Sequence, residues 1–308
     1  MSAASVQADL RGRVALVTGG TGGMGRVITA ELARAGAHVV TTSRDPRRGE
    51  VLRQQVATEV GADRVEVLTG DLSSRRDLHR LAAEFAERHK ILHLLVNNAG
   101  AHYRHRWLTA DGVEAHLAVN HLTAFSLTYL LRDQLFAGAP ARVVNVVSAT
   151  MSDVRPIPLP GRPRPVSLDL SAVTDVRQLN PAAGFAPFAA YARAKLLTTI
   201  CGYAFADRWR EKGVSVNAVH PGIVSTGIVD DITPTVLAPF RSLIHRRLLT
   251  PEQGASAALR LAVDPGLAAT TGRYYVRETP ARSPEISYDA ATRAAAWRLS
   301  ENWVTSPA

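Results

Sequence analysis

Val14-Ala15-Leu16-Val17-Thr18-Gly19-Gly20-Thr21-Gly22-Gly23-Met24-Gly25 is the stretch that decides the fold. A short apolar run opens into a turn crowded with glycine, and the helical spacing of Gly25 to Ala35 follows at once. Such a turn lets backbone approach a pyrophosphate at a helix N-terminus, where free N–H groups and the helix dipole favour negative charge. A glycine-rich turn alone is weak, since a merely tight turn reads the same way. Its place between a first buried strand and a helix is the context that makes it a dinucleotide site.

Outward from this loop, β-branched runs recur at Val14 to Val17, His38 to Thr42, Val65 to Leu68, Leu92 to Val96, Val143 to Val147, Val214 to Val219 and Arg273 to Val276. Segments with helical spacing lie between most of them, among them Ser74 to His89 and Gly112 to Phe136. Strand and helix in alternation predict an α/β chain, a single-domain doubly wound Rossmann fold whose seven-stranded parallel sheet carries helices on both faces. With no internal repeat or linker, residues 1–308 form one domain.

Two segments break the rhythm. Residues 150–188 contain Pro156, Pro158, Pro160, Pro163, Pro165, Pro181 and Pro187, too many for helix over much of that length. Residues 227–249 set Leu237, Phe240, Leu243, Ile244 and Leu248 opposite Arg241, His245 and Arg246. The first reads as an insertion at the sheet's rim. The second reads as a substrate lid, with membrane-surface contact or self-association as the other uses of such a stripe. A last helical pattern, Ala290 to Trp303, is expected beside this rim.

With 46% hydrophobic and 20% charged residues the composition is that of an ordinary soluble globule, and no apolar run is long enough to span a membrane. The segment Met1 to Leu10 has no apolar core of a secretory signal, and one cysteine, Cys201, fits a reducing compartment, so a cytoplasmic location is expected. The net charge of +9 raises nucleic acid as a ligand. The arginines are spread along the chain without interleaved aromatics, so no nucleic-acid partner is expected.

At the end of the second strand an acidic residue would suit a free ribose 2′-hydroxyl. Ser43 and Arg44 stand there instead, a hydroxyl and a guanidinium suited to a 2′-phosphate, which favours NADP(H) over NAD(H). Asp45 turned inward would weaken that preference, and Arg44 as a solvated loop residue would remove it. Further on, Tyr191 and Lys195 lie four residues apart on one helix face. A unit charge about 4 Å from the phenol, at an effective dielectric near 20, contributes roughly 4 kcal/mol, so Tyr191 is expected to titrate toward neutrality and to act as acid or base. The same spacing also occurs as a plain surface pair.

Thr18-Gly-x-x-x-Gly-x-Gly25, Asn97-Asn98-Ala99-Gly100, Ser148 and Tyr191-x-x-x-Lys195, in this order, resemble the short-chain dehydrogenase/reductase family over roughly residues 11–275. Ser43-Arg44-Asp45, Val119-Asn120-His121-Leu122, Arg142-Val-Val-Asn145 and Val219-His220-Pro221-Gly222 look like its retinol-dehydrogenase-like branch. The resemblance implies an oxidoreductase exchanging hydride between a nicotinamide and a carbonyl or secondary alcohol. In it Ser148 holds the substrate oxygen and Tyr191 gives or takes its proton. Lys195 holds the nicotinamide ribose and lowers the Tyr191 pKa, and Asn120 breaks a helix so that its backbone binds a relay water.

The cofactor is implied to lie against Gly19, Thr21, Gly23, Met24 and Gly25, Ser43 and Arg44, Asp71 and Leu72, Asn98, Ala99 and Gly100, and Pro221, Gly222, Val224 and Thr226, besides Tyr191 and Lys195. Asn97 and Asn98 have a structural alternative in stabilising the sheet, and Asn120 in capping an irregular turn. Val147 stands where many relatives carry a second serine, and the stretch from Ser148 to Tyr191 is long for the family. The greasy lid suggests a bulky apolar substrate, and the molecule is expected to be a monomer or homodimer. Two other functions suit the same residues: a nucleotide sensor without turnover, and a dehydratase or isomerase. His102, His105, His116 and His121 lack metal-ligand spacing, so no metal is expected. His102 is placed along the substrate cleft, and Cys201 reads as a small core residue.

Overall fold

The computed structural model describes residues 8–155, 163–225 and 248–306. Strands β1 (Val14–Val17), β2 (His38–Ser43), β3 (Val65–Thr69), β4 (Leu94–Asn97), β5 (Ala141–Val146), β6 (Val214–His220), β7 (Tyr274–Val276) and β8 (Thr279–Ala281) form one sheet in the order β3-β2-β1-β4-β5-β6-β7-β8. The first seven run parallel, with Leu16 of β1 beside Val40 of β2 and Leu95 of β4. Chain order reverses between β1 and β4, and the crevice beyond the carboxyl ends of those strands is where such folds bind ligands.

The expected seven strands are present, and an eighth was not foreseen. β8 is antiparallel to β7, joined by Arg277 and Glu278, with Arg277 at φ +55. No glycine or asparagine marks this two-residue turn, so the usual hairpin signal is missing. Pro280 is tolerated because β8 is the edge strand.

Helices α1 (Gly23–Arg34), α2 (Pro46–Val60) and α8 (Pro251–Val263) bury Ile28, Leu32, Leu52, Val56 and Leu259 against one face of the sheet. On the other face lie α3 (Arg75–Arg88), α4 (Ala115–Leu117), α5 (Thr123–Leu130), α6 (Arg132–Ala137) and α7 (Pro187–Trp209), with Phe85, Phe125 and Phe205 in their core. The segment 112–136, which has helical spacing throughout, is broken at Asn120, where the family resemblance implied a break. Ala118–Leu122 forms a π-helical turn between α4 and α5, a local widening frequent at functional sites.

α9 (Ala290–Thr305) packs outside α5 and α7 through Trp297, whose ring lies 4.7 Å from that of Phe205. At its end Arg75 Nη1 donates to the Trp303 carbonyl at 3.1 Å. It therefore seals the outer helical layer rather than sitting chiefly at the rim, although it also touches the turn Val176–Gln178.

The described parts of the insertion are anchored. Val166, Leu168, Leu170, Val176 and Leu179 are buried in the same core as Met151. Backbone bonds from Val154 to Arg164 and from Val166 to Met151 close its base at 2.8 and 3.1 Å. Among its described residues before α7 begins at Pro187, helix is limited to 3-10 turns, as the prolines require. The lid expected at 227–249 falls, except for Leu248 and Leu249, outside the described residues.

Candidate active site

The glycine loop is shaped by its neighbours. Thr18 Oγ1 accepts the Asn98 and Ala99 backbone N–H groups at 3.0 Å each, and Asn98 Nδ2 donates to the Thr18 carbonyl at 3.0 Å. Gly19 takes φ +70, and a Cβ on Gly25 would stand 2.1 Å from the Gly19 oxygen, so neither position admits a side chain. α1 starts at Gly23 with Gly22 as N-cap and no side-chain cap, leaving its first N–H groups free for an anion. Asn98 thus lies behind the loop with its amide spent on the loop's shape. Asn97 ties β4 to its surroundings, donating to Thr128 Oγ1 at 3.1 Å and to Asn145 Oδ1 at 2.8 Å.

Beside the loop a cavity of about 170 Å³ is lined by Gly19, Thr21, Ser43, Arg44, Asp71 and Leu72, which the sequence had assigned to the cofactor. Thr42, Gly70, Ser73, Tyr103, Trp107 and Val119 complete it and were not anticipated. The aromatic pair lay hidden among the histidines and arginines of residues 102–106. Arg44 is exposed, with no hydrogen bond or ion pair among the described residues. Asp45 caps α2 by accepting the Arg47 backbone N–H at 2.8 Å, so it does not turn inward against Arg44. Ser43 differs from expectation: its hydroxyl donates to the Asp45 carbonyl at 2.6 Å and is not free to donate to a phosphate. A second cavity, of about 210 Å³, adjoins through Thr21 and is lined by Arg26, Arg47 and Arg48.

Beyond the loop, a Cβ on Gly254 would meet Val224 Cγ2 at 2.4 Å and Met24 Sδ at 2.7 Å, so the two assigned residues meet over α8. Pro221 and Gly222 follow β6 directly, and residues 223–225 are tied to Leu249 by backbone bonds of 2.8 and 3.0 Å. Thr226 lies outside the described residues.

Tyr191 and Lys195 sit on one face of α7, which Pro187 opens at its first position. Both are buried, at 6% and 3% exposure, with Lys195 Nζ 5.8 Å from the centre of the Tyr191 ring. Ser148 lies two residues beyond β5 and caps the turn Ala149–Met151. The expectation of a near-neutral phenol fails here. Burial pushes Tyr191 up to about 12 against the opposing hydrogen bond from Ser148, and burial pushes Lys195 down to about 8. Spacing placed the charge beside the phenol but could not weigh the loss of water around both groups. Near neutral pH the phenol is therefore protonated.

Lys195 Nζ donates to the Val146 carbonyl at 3.0 Å. A Cβ on Gly100 would lie 2.9 Å from Asn120 Oδ1 and 3.1 Å from Lys195 Nζ, so Gly100, Asn120 and Lys195 converge. Asn120 sits in the π-helical turn, where its side chain accepts the Ala101 N–H at 3.1 Å and donates to the Ala101 carbonyl at 2.8 Å. Its own carbonyl, expected to hold a water, accepts the Thr198 hydroxyl at 2.9 Å.

A buried polar clasp that sequence reasoning missed borders this group. Glu114, with 0% exposure, accepts from His116 Nδ1 at 2.7 Å and from Asn180 Nδ2 at 2.8 Å. Burial alone would raise its carboxyl, but the hydrogen bonds from His116 and Asn180 outweigh it and hold the carboxyl below its ordinary value. His116 Nε2 accepts the Tyr103 backbone N–H at 2.9 Å, which fixes its proton on Nδ1. Asn180, at φ +55, also accepts from Arg106 Nε through its carbonyl at 2.9 Å and from Arg193 Nη1 through Oδ1 at 2.7 Å. The insertion is thereby fastened to α7 two residues after Tyr191. In sequence Glu114 read only as part of an amphipathic segment.

The other histidines divide. His102 is buried beside Tyr191, His105 is exposed, and His121 bonds Ser300 Oγ of α9 at 2.8 Å. Among the described residues, the side chains that converge as metal ligands would are His38, Glu66 and His89, at the opposite ends of the strands, where Arg88 pairs with Glu66 at 2.5 Å. Cys201 is buried, its thiol pushed up to about 12 by that burial.

Known proteins resemble this chain over most of its length. The short chain dehydrogenase family profile matches residues 13–156. Human retinol dehydrogenase 12 is 34% identical over 87% of this chain and 78% of its own length. Human polyprenol dehydrogenase is 31% identical over 94% and 84%. Among solved structures, an uncharacterized protein from Mycobacterium paratuberculosis superposes with a TM-score of 0.73 at 27% identity, covering 99% of this chain and 98% of that one. The Pseudomonas aeruginosa RhlG/NADP complex does so with a TM-score of 0.62 at 27% identity, covering 87% and 95%. The chain belongs to the short-chain dehydrogenase/reductase family, nicotinamide-dependent oxidoreductases acting on CH–OH and C=O groups.

Proposed function

We propose that this oxidoreductase uses NADP(H) and reduces a carbonyl, or oxidises the matching secondary alcohol, with Tyr191 as general acid and base. The observation that carries the reading is the dry pairing of Tyr191 with Lys195 one turn away and Ser148 alongside. The free N–H groups at Gly23, the cavity at Arg44 and the basic cavity next to it suit a dinucleotide with a 2′-phosphate. When bound, the nicotinamide supplies the hydride.

The chain's own part is the proton. Ser148 and Tyr191 hydrogen-bond the substrate oxygen where negative charge develops, and Tyr191 donates its proton as the alcohol forms. Lys195, with one N–H held by the Val146 carbonyl, keeps a positive charge behind the resulting phenolate and has donors left for ribose hydroxyls. Asn120 holds residue 101, and with it the backbone beside Lys195, in place. The raised phenol favours the reductive direction, in which Tyr191 begins protonated.

The apolar stripe at 237–248 and the names of the retinol and polyprenol dehydrogenases, alcohols on long hydrocarbon skeletons, support a bulky apolar substrate. The single buried cysteine supports a reducing, cytoplasmic setting, and no helix among the described residues is long and apolar enough to cross a membrane. The test is NADPH consumption against a panel of ketones and aldehydes, comparing native protein with Tyr191→Phe. Equal turnover by the two would overturn the mechanism.

A further inference from the structure

His102 lies two residues beyond Gly100, and both neighbours in sequence are pinned. Ala101 is held through N–H and carbonyl by Asn120, and the Tyr103 N–H is held by His116. The imidazole is thereby fixed among three rings: Tyr191 at 5.8 Å, His116 at 5.3 Å and Phe188 at 6.2 Å between centroids. It is 6% exposed, and neither Nδ1 nor Nε2 has a hydrogen-bond partner among the described residues. Each orphaned nitrogen is destabilising, a cost that a leucine filling the same space would not carry. Burial first, then the neighbouring His116 and Arg104, push its pKa down to about 4, so near neutral pH the ring offers one N–H donor and one bare nitrogen.

A rigidly held, unsatisfied imidazole edge-on to the proposed proton donor lacks a partner that a ligand can supply. We propose that His102 binds a second oxygen on the substrate, so that the enzyme takes carbonyl compounds carrying another hydroxyl or carbonyl on the adjacent or next carbon. The inference rests on the oxidoreductase reading above and narrows its substrate class. With the two ring centroids 5.8 Å apart, one small molecule is able to span both rings. A plain apolar alcohol would leave both imidazole nitrogens as they stand. Thr150 Oγ1, two residues past Ser148, is likewise buried without a partner and adds to the unmet polar capacity near the reacting oxygen.

The probes are 3-hexanone and 3,4-hexanedione, which share a skeleton and differ by one oxygen. In NADPH-dependent reduction, His102→Leu should lower kcat/KM for the dione about tenfold more than for the monoketone, the loss of roughly one hydrogen bond. His102→Gln, which keeps a donor and an acceptor, should recover part of that difference. The melting temperature of unliganded His102→Leu should equal or exceed that of the native protein, because a dry polar group has been removed, whereas a structural histidine would show a fall. Equal loss on both ketones, or no loss on either, overturns the proposal. Native protein that reduces neither ketone, or Tyr191→Phe that matches it, counts instead against the oxidoreductase reading. His102 is then judged by thermal shift of the NADPH complex with each probe: a rise given by the dione and lost in His102→Leu supports it, and equal or absent shifts overturn it.

Discussion

The two ends of the cleft hold positive charge in opposite ways. Arg44 stands exposed at the mouth of its cavity with no partner among the described residues, while Lys195 is 3% exposed and already gives one N–H to Val146. An exposed guanidinium keeps its charge at any working pH and gives it up only to salt screening. A buried ammonium is sensitive to pH, because desolvation has brought its pKa down to about 8. Recognition of the cofactor should therefore respond to ionic strength, and chemistry to pH.

The largest test of this contrast is Tyr191→Phe, expected to lower kcat by about 10²–10⁴-fold while leaving NADPH affinity, measured by fluorescence titration, within a few-fold. A parallel loss of NADPH affinity would mean the buried end also carries recognition. Next, Arg44→Asp should shift the NADPH/NADH preference in kcat/KM by about 10–100-fold, the worth of a charge-assisted hydrogen bond, and the native preference should shrink as salt is raised. A preference indifferent to both would remove the exposed end from cofactor choice.

The pH profile sharpens the buried end. Reduction needs Lys195 charged behind the forming phenolate, so its rate should fall above about pH 8 as the ammonium loses its proton, while Tyr191, at about 12, stays protonated throughout that range. A rate flat from pH 7 to 10 would break the argument. The smallest effect is expected from Glu114→Gln. It weakens the clasp under the insertion, costing about 1–3 kcal/mol and roughly 2–4 °C of melting temperature per kcal/mol, with a few-fold change in KM and little in kcat.

The same contrast explains what could be read in advance. Glycine, strand and helix spacing are local, so the loop, seven strands and the order of Ser148, Tyr191 and Lys195 were legible in the chain. The turn at Arg277 carried no turn residue, so β8 was not, and the helical spacing of 112–136 shows no break by itself, so the one at Asn120 came from the family resemblance alone. Burial is not local. It moved Tyr191 away from neutrality, made Glu114 a clasp, and left His102 dry, and each of these depends on residues distant in sequence.

Asn180 receives or gives hydrogen bonds through its carbonyl, Oδ1 and Nδ2 at once, and the base of the same insertion closes at residues 154 and 164. The segment between those fastenings is tied at both ends and also gives Val166, Leu168, Leu170, Val176 and Leu179 to the core, so a replacement from a relative must keep those apolar positions. The residues proposed to move the proton lie outside it.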